Sequence, residues 1–245
     1  MKLSNDKNTF FSNYDTFRII VRQIVPSGVW ENKVNVWVAG CSMGHLTYSL
    51  AILLAERVGP FASKHFSIYA TDLDENNFYK EIITRGIYPR KELQLIPKKL
   101  FSKYFKGVVQ QGYYQVIHYI RNRINFHKLD LLSLNPVYSR FSLIVCTDML
   151  ETYSQKQQLN VITMFHKVLL PGGYLLLNMS GQFPEQCLNK FKSVNQAGTL
   201  YQKILDRKDV KSFRLYSTVN EPKVQSTRKS FRLDHPTKKK QDDAG

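Results

Sequence analysis

The residues of this chain that could do chemistry lie in two short phrases, GCSMG at 40–44 and TDLD at 71–74. A loop with glycines lets the backbone approach a ligand closely, and a helix that follows it presents unpaired N–H groups. An acidic side chain at the end of a neighbouring strand suits the two hydroxyls of a ribose. Only Gly40 and Gly44 are present, so the G-x-G-x-x-G pattern that holds a dinucleotide pyrophosphate is not met. Asp72 itself reads two ways, as a ribose ligand or as the cap of the next helix. Taken with LLPGGYLLL at 169–177, these phrases favour an adenosine-bearing cofactor without a pyrophosphate, S-adenosylmethionine before NAD.

To position such a loop the chain needs parallel strands joined by helices. Val34 to Ala39 is a short β-branched run ending at Gly40, and Thr47 to Arg57 continues as a helix without a breaker. Phe66 to Thr71 is a second strand, followed by a helical segment near Glu75 to Ile83. Phe141 to Cys146 and Tyr174 to Leu177 are further strands, with a helix over Gln155 to Leu169 and the PGG at 171–173 as its stop. Thr199 to Ile204 and Ser212 to Val219 complete the strand candidates. The region 86–126 breaks the alternation: a basic helical piece and then aromatic-rich strand material read as an insertion. Residues 1–32 form a helical lead-in, 33–220 the α/β domain, and 221–245 a polar, basic tail expected to be disordered.

Composition narrows the setting. Hydrophobic residues make up 43% of the 245, which excludes a disordered chain, and 35 Lys and Arg against 19 Asp and Glu give a net charge of +16. That field suits nucleic acid, an anionic membrane or an acidic protein surface without choosing among them. Three cysteines, Cys41, Cys146 and Cys187, lack metal-ligand spacing and point to reduced thiols. With no apolar run long enough to span a bilayer, the expected location is cytoplasmic, with no stable membrane insertion. The six histidines are scattered, so no metal is expected. KKLFSKYFK at 98–106 reads as an amphipathic helix with its aromatics inward, rather than a nucleic-acid stripe.

In order, GCSMGHLTYSLA, ATDLD, RGIYPRKELQLIPKKLFSKYF, FHKLDLL, LIVCTDML and LLPGGYLLL resemble the phrases of the CheR-type chemotaxis receptor methyltransferases, from Asn8 to about Ile204. The resemblance implies an α/β class I S-adenosylmethionine-dependent methyltransferase fold, Rossmann-like, with a small β-rich insertion that in some members docks a receptor tail peptide. It also implies S-adenosylhomocysteine as product and a chemoreceptor-like protein as substrate or partner; nucleic acid is a partner class that the charge admits and no motif supports. NTFFSNYDTF at 8–17 resembles the family's T-x-FFR phrase, which there follows a helical domain, and this chain is expected to lack that domain. By the same resemblance Ala39, Gly40, Gly44, Asp72, Asp130, Leu131 and Asp148 hold the cofactor, and Asp148 and Tyr153 are the catalytic candidates. NPVY at 135–138 resembles the NPPY of amino-methylating nucleic-acid enzymes but precedes its strand, so it reads as a loop.

The departures from the family bear on activity. His45 and Leu46 replace an acidic pair whose carboxylate would meet the cofactor's ammonium group, a bond contributing roughly 1.5 to 3 kcal/mol. Its loss would cost about one to two decades of affinity, and an imidazole cannot replace it. Ser12 and Thr147 stand where the family has arginines, and Thr152 at its tyrosine, with Tyr153 one place later. Arg18 and Arg85 are candidate replacements for the lost cations. Three readings remain open: a glutamate O-methyltransferase with full or weakened activity, a silent binding or regulatory relative, and a methyltransferase for another substrate.

Overall fold

The computed structural model describes residues 9–12, 14–25, 33–59, 65–138, 140–147, 149–178, 183–195 and 198–204. Among these described residues, ten strands fall into two sheets. The larger is built from β1 (Val34–Ala39), β2 (Phe66–Asp72), β6 (Ile124–Lys128), β7 (Phe141–Cys146), β8 (Leu169–Leu177), β9 (Phe191–Ser193) and β10 (Leu200–Lys203), in the order β6-β2-β1-β7-β8-β10-β9. From β6 to β8 all neighbours are parallel, and β10 lies antiparallel between β8 and β9. The first five strands thus follow the doubly wound order, which reverses between β1 and β7.

Alternate side chains of the strands feed two cores. Val36, Val38, Ile68, Ala70, Leu143 and Val145 meet α1 (Tyr14–Ile24) and α2 (His45–Val58) on one face. Trp37, Ile144, Cys146, Leu175 and Leu177 meet α6 (Gln155–Val168) on the other. Because β1 is central it is buried along its whole length, which explains why Asn35 alone interrupts the apolar residues of VNVWVA. The buried Trp37 indole N–H is satisfied by the Thr71 hydroxyl at 2.8 Å. A Ser154–Gln157 capping box starts α6.

The insertion is a three-stranded antiparallel sheet, β3-β5-β4, of β3 (Ile87–Pro89), β4 (Phe105–Gly107) and β5 (Tyr113–Val116), with α4 (Lys98–Tyr104) and α5 (His118–Arg121). In α4, Leu100 and Tyr104 turn inward and the lysines outward, as the amphipathic reading expects. The insertion ends sooner than 126: β6, from Ile124, is an edge strand of the main sheet, and its mostly polar, half-exposed sequence hid it. Two other boundaries change. Helix α3 (Phe78–Arg85) begins three residues after Glu75, behind a turn, and β8 already starts at Leu169. The PGG therefore lies inside the strand, where the register against β7 shifts, rather than before it. NPVY lies in a loop. The strand expected at 212–219, the tail from 221 and part of the lead-in lie outside the described residues.

Candidate functional site

The carboxyl ends of β1, β2, β6 and β7 meet at the switch point, where ligands of such sheets bind. Gly40, at φ +77°, turns the chain out of β1, and its N–H and that of Cys41 both donate to the Thr71 carbonyl. The Asp72 carboxylate accepts from the Ser42 N–H at 2.8 Å with one oxygen and from the Leu73 N–H at 2.9 Å with the other. The Asp72 carbonyl accepts from Leu129 N–H, which draws in the loop carrying Asp130 and Leu131. The helix-capping role belongs to Asp74: buried, it accepts from the Tyr79 and Lys80 amides in the first turn of α3. Asp72 is thereby left to the loop.

Helix α2 opens on Gly44, at φ +86°, with no side-chain cap and no acid in its first turn. A long helix starting this way presents its first N–H groups to an anion. The glycines have a second reason to be there. A Cβ on Gly40 would fall 2.5 Å from Met149 Sδ, and one on Gly44 2.8 Å from Ile83 Cγ1 and 3.1 Å from the Tyr88 hydroxyl. Their presence follows from the protein's own packing, so the ligand reading leans on Asp72 and the helix start.

Of the other sequence candidates, Ala39 and Leu131 direct their side chains into the core, leaving only their backbone to a ligand. Asp130 accepts from the Leu132 amide at 2.9 Å and caps the short 3-10 turn Leu131–Ser133. Tyr153 belongs to the same edge: burial raises its phenol pKa, and Cys146, Asp130 and Asp72 raise it further. Burial, and then Asp72, likewise pushes the Cys41 thiol well up, which leaves it a protonated, inert group. Thr152 turns its hydroxyl to the Met149 carbonyl at 2.7 Å. Asp148 lies outside the described residues. Arg18 and Arg85 are engaged on their own helices, with Asp15 at 3.3 Å and Glu81 at 3.1 Å, and neither is brought to the loop by these contacts.

His45 is the residue whose place the sequence did not foretell. It is 2% exposed, and its Nε2 lies 2.8 Å from Glu92 Oε2 of the insertion. Phe10 and Tyr88 pack their rings against it at 5.1 and 5.2 Å. The Tyr88 hydroxyl donates to the Met43 carbonyl at 2.7 Å. Phe11 N–H donates to the Ser49 hydroxyl, which donates in turn to the His45 carbonyl. Neither Glu92 nor Tyr88 carries a local sequence signal for this role beyond an acid within the basic stretch PRKEL.

Among the described residues no cluster of potential metal ligands occurs, and no helix is long and apolar enough to cross a membrane. Residues 6–199 match the family model described as CheR methyltransferase, SAM binding domain. A chemotaxis protein methyltransferase of Listeria innocua is 30% identical over 186 residues, 74% of this chain and 66% of that protein. One of Borreliella burgdorferi is 27% identical over 187 residues, 73% of this chain and 65% of that protein. The chain thus spans about two thirds of the length of these relatives. The N-methyltransferase NodS from Bradyrhizobium japonicum, solved with S-adenosyl-L-homocysteine, aligns at 15% identity and a TM-score of 0.44, over 82% of this chain and 94% of that one.

Proposed function

From the premise that this chain belongs to the CheR methyltransferase family, whose model describes an S-adenosylmethionine-binding domain, we propose that it transfers a methyl group from S-adenosylmethionine to glutamate side chains of a chemoreceptor-like protein. The observation that carries the reading is the meeting of Asp72, the 40–44 loop and the uncapped start of α2 at the switch point of a parallel sheet.

The residues fit the cofactor. Asp72, held by two backbone N–H groups that fix its orientation, would accept from the ribose hydroxyls. The first turn of α2 would hold the cofactor's carboxylate, and the backbone at 129–131 would border its adenosine. When bound, S-adenosylmethionine would supply an electrophilic methyl group on a sulfonium, and transfer to a glutamate oxygen would exchange the C–S bond, with its electron pair left on sulfur, for a new C–O bond. No proton moves, because a glutamate of ordinary pKa, about 4.3, is already an anion at neutral pH. The protein's task is therefore to align the two groups and exclude water. Tyr153, its phenol kept protonated by burial and the nearby carboxylates, is available to donate a hydrogen bond to the acceptor carboxylate.

A silent binding module is the second reading, supported by Thr152, whose hydroxyl is spent on a backbone carbonyl at the family's tyrosine position. Calorimetry with S-adenosylhomocysteine, followed by transfer of labelled methyl to receptor glutamates, separates the two. Binding lost in Asp72→Ala together with label on glutamate is expected. Binding without label leaves the silent module, and no heat at high micromolar ligand removes the enzyme.

A further inference from the structure

Helix α3 and the insertion that follows it grip the cofactor loop and the helix behind it at several points. At the loop, Tyr88 holds the Met43 carbonyl and Glu92 holds His45, while Gly44 packs between Ile83 and Tyr88. Midway along α2 the Tyr48 hydroxyl donates to the Ile83 carbonyl, and Gly86, at the entry to the insertion, sits against that hydroxyl. At the far end Glu56 accepts from Lys103 and Tyr104 of α4. The start of α2 is thus fixed by side chains of α3 and the insertion, not by a cap of its own.

We infer that His45 and Glu92 are positioning residues, forming a strut through which the insertion sets the conformation of the cofactor loop and hence its affinity for the cofactor. This rests on the cofactor reading given above. The residue at 45 points away from any ligand on the loop: it is buried, ringed by Phe10 and Tyr88, and bonded to the insertion. The bond lies next to Gly44, whose backbone must keep its left-handed turn for the first amides of α2 to converge. A partner seated on the insertion would act on the cofactor loop through this strut.

The test uses the full chain with Glu92→Ala, Glu92→Gln and His45→Ala, measuring S-adenosylhomocysteine affinity by calorimetry, thermal midpoint, and amide hydrogen exchange at residues 42–46. Glu92→Ala is expected to weaken binding on the order of tenfold. Glu92→Gln, which keeps an acceptor for the imidazole N–H, is expected to restore most of it. His45→Ala combined with Glu92→Ala should lose little more than either change alone, as for two ends of one bond. Exchange at 42–46 should rise in Glu92→Ala and return in Glu92→Gln, with or without ligand. Unchanged affinity together with unchanged exchange in Glu92→Ala overturns the strut. So does a uniform fall in midpoint and exchange protection across the whole domain, which marks a merely structural role. If the wild type binds no ligand, the cofactor reading fails, and exchange at 42–46 still decides whether the strut holds the loop.

Discussion

The two halves of the loop between β1 and α2 are secured by different parts of the molecule. Residues 40–42 hang from β2: three amides, of Gly40, Cys41 and Ser42, donate to Thr71 and Asp72. Residues 43–45 hang from the region after β2, through Ile83, Tyr88 and Glu92. The first half is fixed by two backbone bonds to β2 and one to the Asp72 carboxylate at the end of that strand, whereas the second depends on side chains from beyond β2. The difference separates what makes the loop a loop from what tunes it.

The largest expected effect sets the two glycines against each other. Gly44→Ala places a methyl group against Ile83 and Tyr88 in the buried half and requires a left-handed alanine, which together should cost about 2 to 4 kcal/mol in chemical denaturation. Gly40→Ala carries the same backbone strain, but its neighbour is the flexible end of Met149, so about 1 to 2 kcal/mol is expected. Equal losses would mean that the two halves are equally rigid and dissolve the contrast. Asp72→Ala comes next. It leaves the Ser42 and Leu73 amides without their acceptor, at about 1 to 3 kcal/mol, and should also abolish S-adenosylhomocysteine binding in calorimetry.

The same division decided what could be read in advance. The strands β1, β2 and β7 were legible because a parallel strand covered on both faces is dominated by apolar residues. The edge strand β6 was not, since INFHK alternates between half-covered and exposed positions and resembles the insertion before it. The start of α3 was displaced because Asp74 and Asn77 adopt left-handed backbone, which no local pattern announces. At the site, Gly40, Gly44 and Asp72 stood out since loop, helix and acid are close in sequence. His45 was assigned a cofactor-facing position by resemblance alone. Its partner comes from Glu92, beyond β2 and α3, and only the folded topology brings the two together.

Removing the Tyr88 hydroxyl is a milder way to loosen the second half. Tyr88→Phe keeps the ring contacts with Phe10 and His45 and deletes only the bond to the Met43 carbonyl, so about 1 kcal/mol of stability is expected to go. Weaker S-adenosylhomocysteine binding should accompany it, while the exchange of the Gly40 and Cys41 amides stays unchanged. If those two amides loosen as well, the halves are not independent.

The smallest effect lies at the far end of α2, where the insertion holds Glu56. Burial works to raise the Glu56 pKa, but the hydrogen bonds from Lys103 and Tyr104 and the charges of Lys103 and Lys99 outweigh it, and the net shift is downward. A carboxyl whose folded pKa lies below its unfolded value contributes stability above the unfolded pKa, and loses it as pH falls through the folded one. Glu56→Gln should therefore be less stable than the wild type at neutral pH, by under about 1 kcal/mol for a partly exposed pair. The difference should close as pH drops below the ordinary glutamate value of about 4.3. Chemical denaturation of both proteins across that range checks it, and a difference that persists at low pH would show that the insertion grips α2 here by packing of Tyr104 and Leu100 rather than by charge.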